Sequence, residues 1–121
     1  MVYFKTMHDS PVHDYVNQLL RGLVEPLMLF VIGELPSHGY RIAKEVERRS
    51  SGYFKLTAST VYSALRRFED EGLVLSSWQE AANRQRRRCY YLTDKGRQIL
   101  NSKLKEWERF SVAAESVLAS D

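Results

Sequence analysis

The sequence predicts a mainly α-helical chain with one small β-hairpin, and three observations carry that expectation. Apolar residues recur at helical spacing through most of the chain, in stretches bounded by residues that start or stop helices. Only residues 73–78 and 88–92 switch to β-branched and aromatic runs, with a polar stretch between them. The last periodic stretch, from Thr93 to about Ala119, is longer than a domain of this size can cover with its own core.

Composition narrows the field first. The chain has 121 residues, 44% hydrophobic and 27% charged, which suits one folded domain and excludes a disordered or collagen-like polymer. The longest apolar run, residues 27–32, is too short to cross a bilayer, and the N-terminus carries charge where a secretory signal needs an apolar stretch; the expected location is cytoplasmic. A single cysteine, Cys89, forms no internal disulfide and supports no multi-thiolate zinc site.

Residues 1–9 show no period and are expected to be flexible. Ser10 and Pro11 pair a capping residue with a proline at the first helical position, and Val12, Tyr15, Val16, Leu19, Leu20 and Leu23 then form one apolar stripe. Glu25-Pro26 restarts the chain into a short helix, residues 27–35, that is apolar almost all round and so expected to be buried on every side. Ser37 is the expected cap of a third helix reaching Arg49, with Ile42, Ala43 and Val46 inward. Residues 53–56 are a brief extended piece. Thr57 caps a fourth helix that turns Val61, Ala64, Leu65 and Phe68 inward and stops at Gly72. The hairpin follows, its polar loop spanning residues 79–87, and Thr93 caps the terminal helix. That helix carries Leu100, Leu104, Trp107, Ser111, Ala114 and Leu118 in steps of four and three, widened by Ile99, Phe110 and Val117.

Helix, helix, helix, hairpin, helix with a basic hairpin loop is the order of a winged helix-turn-helix. The expected division is a flexible N-terminus, 1–9, a winged helix-turn-helix DNA-binding domain with its N-terminal helix, 10–92, and a C-terminal dimerisation helix, 93–121. Charge distribution agrees. Between His38 and Arg97 thirteen Lys and Arg face seven Asp and Glu, a surplus of six positive charges, whereas the flanks carry a net of three negative ones. A basic middle between acidic ends is expected when one part meets a polyanion and the rest does something else.

The outward face of the fourth helix bears Ser59, Thr60, Tyr62, Ser63, Arg66 and Arg67, residue types that bond phosphate oxygens and base edges. Its N-terminus, with Thr57, Ser59 and Thr60, favours an anion, although these residues also serve as plain caps. Arg84, Arg86, Arg87 and Arg88 crowd like charges into the hairpin, an arrangement suited to a polyanion partner rather than to a merely solvated turn. The expected dimer interface comprises Val12, Tyr15, Val16, Leu19, Leu100, Leu104, Trp107, Phe110, Ala114 and Leu118, because an apolar stripe this long needs a second copy. Trp107 and Phe110 are also candidates for a pocket that takes a small aromatic effector, set against the simpler role of interface core.

Three segments closely resemble the PadR family of winged-helix regulators: LLRGLVEPLMLFVIGELPSHGYRIAKEVERRSSGYFKL, TASTVYSALRRFEDEGLV and RRRCYYLTDKGRQIL. The resemblance runs from about Leu19 to Phe110. It implies a homodimer built through the terminal helices that binds double-stranded DNA at an inverted-repeat operator and usually represses nearby genes. By position it assigns DNA contact to Tyr40 and Lys44 of the first motif helix, to Ser59, Thr60, Tyr62 and Arg66 of the recognition helix, and to the wing arginines. The single long C-terminal helix is similar to the smaller members. Ala58 and Ser63 stand where proline is common in the family, and the wing lacks the glycines often seen there.

No enzymatic activity, metal or cofactor is expected. His8, His13 and His38 share no ligand spacing, and no phosphate-cradling glycine loop or catalytic carboxylate pair appears. The alternatives to operator binding are a winged helix used for protein contact and a ligand sensor with little DNA specificity.

Overall fold

The structure is a computed structural model that describes residues 10–80 and 82–119, with side chains from Tyr15 onward. The expected flexibility of residues 1–9 lies outside the described residues, and the interface role of Val12 rests on a side chain outside the described ones. The element order is α1 (Ser10–Arg21), α2 (Val24–Glu34), α3 (Gly39–Arg49), α4 (Ala58–Asp70), β1 (Val74–Glu80), β2 (Arg86–Leu92) and α5 (Asp94–Ala119). This is the expected mainly helical winged fold.

Helix α2 is the spine of the core, but with two departures from expectation. It starts at Val24, so Pro26 sits inside its first turn, where no intrahelical N–H is missed. Nor is it buried on every side: Met28, Leu29, Val31 and Ile32 pack inward, whereas Phe30 is 43% exposed and Leu35, just past its end, is also exposed. Ile42 and Val46 of α3, the four inward residues of α4, Leu73, Val74, Tyr90 and Leu100 complete the cluster. Phe68 is fully buried, and each such large side chain removed from water contributes roughly 1.5–3 kcal/mol. The apolar stretch from Tyr15 to Glu34 is broken by a 57° bend, and no single described helix is long and apolar enough to cross a membrane.

The cap of α3 lies one residue later than expected. His38 is the N-cap, its Nδ1 accepting the Arg41 N–H at 3.3 Å. Ser37 is buried instead, because its backbone exchanges two hydrogen bonds with Tyr90, Ser37 N to Tyr90 O at 3.1 Å and Tyr90 N to Ser37 O at 2.9 Å. Those bonds add one bridge of a third strand to the hairpin and lock the wing to the start of α3. Arg49 ties α3 to α2 by reaching Glu34 at 2.8 Å, and with Arg48 it holds the Glu45 carboxyl down to about 2 through hydrogen bonds.

The hairpin is longer, and its loop shorter, than the polar composition suggested. Strand pairing runs from Val74 with Leu92 out to Gln79 with Arg87 and Glu80 with Arg86. Polar residues extend the ladder because the outer half of a hairpin has solvent on both faces and needs only backbone pairing. At its base, Thr93 caps α5 by accepting the Gly96 N–H at 2.9 Å, and its own N–H bonds the Leu73 carbonyl at 3.0 Å.

Candidate nucleic-acid interface

Successive helical residues turn by 100°, so the buried stripe of α4 fixes where every other side chain points. Opposite Val61, Ala64, Leu65 and Phe68 fall Ser59, Ser63 and Arg66, all exposed. Tyr62 and Glu69 lie on the flank toward the hairpin, and Thr60 and Arg67 on the flank away from it. The Thr57 Oγ1 accepts the Thr60 N–H at 3.2 Å and bonds the Thr60 hydroxyl at 3.0 Å, so these two side chains cap the helix while remaining exposed. A polar outer stripe on a helix whose inner stripe is locked into the core can meet a groove without reorganising.

The start of α3 stands beside Tyr62 because of one glycine. A Cβ built on Gly39 would lie 2.6 Å from Tyr62 Cζ and 2.7 Å from its hydroxyl oxygen, so only hydrogen at that position lets the phenol lie against the helix end. Tyr40 points outward, stacked beside His38 with ring centroids 6.4 Å apart, and the Lys44 ammonium lies 5.5 Å above its ring. Tyr40, Lys44 and Tyr62 are thereby exposed on the side of the molecule that carries the wing.

The expected wing arginines divide into different roles. Arg84 is on the loop, in a left-handed conformation with φ of 68°, next to a turn in which Asn83 Oδ1 accepts the Gln85 N–H at 3.1 Å. A side chain in that region costs on the order of 1 kcal/mol, which the missing wing glycines make unavoidable here. Arg86, Arg87 and Arg88 belong to strand β2, where alternation sends neighbours to opposite faces. The guanidinium groups of Arg86 and Arg88 lie 5.1 and 5.2 Å from the Trp78 ring centroid, a platform that the sequence reading did not single out. Arg88 is not a free wing cation. Its Nε donates to Ser76 Oγ at 2.9 Å and its Nη2 approaches Glu69 at 3.6 Å, while Ser76 donates to the same carboxylate at 2.6 Å, so it ties the hairpin to α4.

Arg87 reaches back to α3, its Nη1 2.9 Å from His38 Nε2. Arginine has only donors, so this contact requires an unprotonated Nε2; the cap on Arg41 N–H requires an unprotonated Nδ1. A neutral imidazole bears one hydrogen and satisfies one of the two at a time. Burial, then the charges of Arg87 and Arg41, push the His38 pKa below its ordinary value, which keeps the ring neutral and the contact with Arg87 attractive. His38, Tyr62, Trp78, Arg86, Arg87 and Tyr90 line a cleft of about 440 Å³ between wing and motif helices.

The terminal helices carry the second candidate surface. Tyr15 and Leu19 of α1 and Trp107, Phe110, Val117 and Leu118 of α5 are exposed, Leu118 at 83%, whereas Val16, Leu104 and Ala114 are half-buried. Leu100 departs from its expected interface role: at 3% exposure it is covered by its own chain and belongs to the core. Trp107 and Phe110 stack with centroids 6.1 Å apart and line a cleft of about 670 Å³ between α1 and α5. Tyr53 and Phe54, unassigned from sequence because they follow no helical period, line the same cleft. Among the described residues no group of three His, Cys, Asp or Glu is placed to hold a metal, and Cys89 is a buried thiol in β2.

Comparison with known proteins converges on one family. The model of the Transcriptional regulator PadR-like family matches residues 28–102, from the middle of α2 into α5. A PadR family transcriptional regulator from Eggerthella lenta is 27% identical with a TM-score of 0.80, covering 92% of this chain and 95% of its own. A transcriptional regulator from Clostridium thermocellum is 28% identical with a TM-score of 0.75, covering 82% and 96%. A PadR-like regulator from Bacillus cereus shares the fold at 23% identity, with a TM-score of 0.76 over 86% and 99% of the two chains.

Proposed function

The chain belongs to the PadR-like family of DNA-binding transcriptional regulators, and on that premise we propose that it acts as a homodimeric repressor at an inverted-repeat operator. The observation that carries this reading is the shared exposure of Ser59, Ser63 and Arg66 on α4 beside Tyr40, Lys44, Tyr62 and Arg87, with an apolar stripe left over on α1 and α5. Helix α4 enters the major groove, Tyr62, Ser63 and Arg66 meet base edges, and Thr57, Ser59, Thr60 and Lys44 bond phosphate oxygens. Arg84, Arg86 and Arg87 hold the backbone beside the groove; Arg88 acts by bracing the wing. Two copies joined through α1 and α5 set the two α4 helices about 34 Å apart or a multiple of it, so each reads one half-site. Repression follows if the operator overlaps a promoter. The reading includes a small flat aromatic effector seated among Tyr53, Phe54, Trp107 and Phe110, where it would change how the two copies are held; four rings around one open cleft support it.

The test is a fluorescence-anisotropy titration with a duplex from upstream of the protein's own gene, a scrambled duplex and a salt series. Expected are two chains per duplex, a preference of about a thousandfold or more for the upstream sequence, and a salt slope reduced by about 1.8 in Arg87→Ala, one phosphate contact from each chain. Equal binding to both duplexes, or one chain per site, refutes the operator-binding dimer.

A further inference from the structure

The flank of α4 that faces away from the wing holds a second basic cleft, of about 500 Å³. Arg21 from the last turn of α1, Lys55 from the connection between α3 and α4, and Arg67 from α4 line it, together with the hydroxyls of Thr57, Thr60 and Ser63. None of its lining residues is acidic. Among the described residues these three cations meet no carboxylate within 4.0 Å, whereas Arg48, Arg49, Arg88, Lys103 and Arg109 each do. Nor do their side chains donate a hydrogen bond to any described residue; the Arg67 guanidinium has only the Phe68 ring, 5.4 Å away.

A basic residue in the last turn of a helix is ordinary, since it complements the helix dipole, and that accounts for Arg21 and Arg67 taken one at a time. It does not account for Lys55, which lies in no helix, or for the convergence of three like charges on one hydroxyl-lined concavity, which is unfavourable without a counter-charge. The helical arithmetic of α4 supplies one. A helix lying in the major groove, about 12 Å wide, has a phosphate backbone along each of its flanks. Tyr62 and the wing occupy one flank of α4; Thr60, Arg67 and this cleft occupy the other.

We propose that Arg21, Lys55 and Arg67 grip the phosphate backbone of the DNA on the side of α4 opposite the wing, so that the recognition helix is clamped from both sides. The proposal rests on α4 being the helix in the groove. A grip on one backbone alone would let the helix pivot about the wing; a second holds it in the groove through contacts that add affinity for any sequence alike.

The experiment compares salt slopes of duplex binding for the wild type, Arg87→Ala, the Lys55→Gln/Arg67→Gln double variant and Arg67→Lys, with thermal melts of each in matched buffer. The expected result is a slope lower by about 3.6 in the double variant, two contacts from each of the two chains, weakened alike on upstream and scrambled duplexes, and a wild-type slope in Arg67→Lys, which keeps the charge. Should the double variant melt early, Lys55→Gln alone carries the test with an expected drop of about 1.8. A wild-type slope in the cleft variants while Arg87→Ala lowers it overturns the second grip and leaves the wing reading intact. Wild-type slopes in both sets overturn the placement of α4 as well. Inorganic phosphate at constant ionic strength is expected to leave the melts of wild type and double variant equally displaced. Selective stabilisation of the wild type, with slopes unaltered, would make the cleft a small-anion site and refute the proposal.

Discussion

Gly39→Ala separates recognition from stability. Gly39 is the first residue of α3 and its backbone is not in the left-handed region, so alanine is compatible with the helix and, by propensity, neutral or favourable by up to about 1 kcal/mol. The added Cβ would stand 2.6 Å from Tyr62 Cζ, and ordinary contact begins at 3.4 Å, so the phenol must retreat by about 0.8 Å. The backbone of α4 cannot move with it, because Val61, Ala64 and Leu65 on either side are buried. The ring of this half-exposed tyrosine must swing instead, and its hydroxyl moves at least as far as the ring. A hydroxyl that bonds a base edge at about 2.8 Å is carried by that shift to about 3.6 Å, beyond hydrogen-bond length. Losing one specific base contact costs about 1–3 kcal/mol, or about 5- to 150-fold in discrimination. The assay is competitive anisotropy between the upstream duplex and single-base variants of it, alongside a thermal melt. Gly39→Ala should melt within a few degrees of wild type yet lose preference at one position of each half-site. An unchanged preference profile in a fully folded variant refutes the assignment of Tyr62 as a base reader positioned by Gly39.

Gly96→Ala should behave in the opposite way. Its Cβ runs into the Leu73 backbone carbonyl, already held by the Thr93 N–H and hydroxyl at 3.0 Å each, so neither side can yield, and a loss of about 3 kcal/mol is expected in urea denaturation; a wild-type midpoint would contradict the close approach of α5 to the hairpin. His38 gives stability a pH dependence. Its folded pKa lies below the ordinary 6.5, so its contribution is full above 6.5 and is lost as pH falls from there through the folded value, where the unfolded chain binds more protons. Between about pH 7.5 and about pH 5.5 the wild type should therefore lose more stability than His38→Asn, which keeps a capping side chain and does not titrate in that range. Parallel pH profiles for the two proteins would show that the imidazole is not held neutral between Arg41 and Arg87.

Much of this architecture is written in local pattern. Thr57 before a stripe of Val61, Ala64, Leu65 and Phe68 specifies a capped helix with one buried face, and the structure places cap and face where the pattern puts them. The outward residues of α4 were legible for the same reason, since fixing one face of a helix fixes the other. The hairpin was legible as a hairpin but not in extent, because the hydrophobic signal fades where both faces meet water while backbone pairing continues to Glu80 and Arg86. Composition alone also made the wing arginines look alike. Their differences come from partners distant in sequence: Glu69 and Ser76 for Arg88, His38 for Arg87, Trp78 for Arg86.

By itself, then, the sequence determined the order and type of the elements, the inward face of each motif helix and the basic character of the middle of the chain. These depend on residue spacing and caps, which act within a few positions along the chain. Only the tertiary structure decided that Ser37 joins the wing through Tyr90, that Leu100 is core, and that Arg21, Lys55 and Arg67 converge on one cleft. Each depends on contacts between segments far apart in the chain, and periodicity carries no information about which segments come to lie side by side.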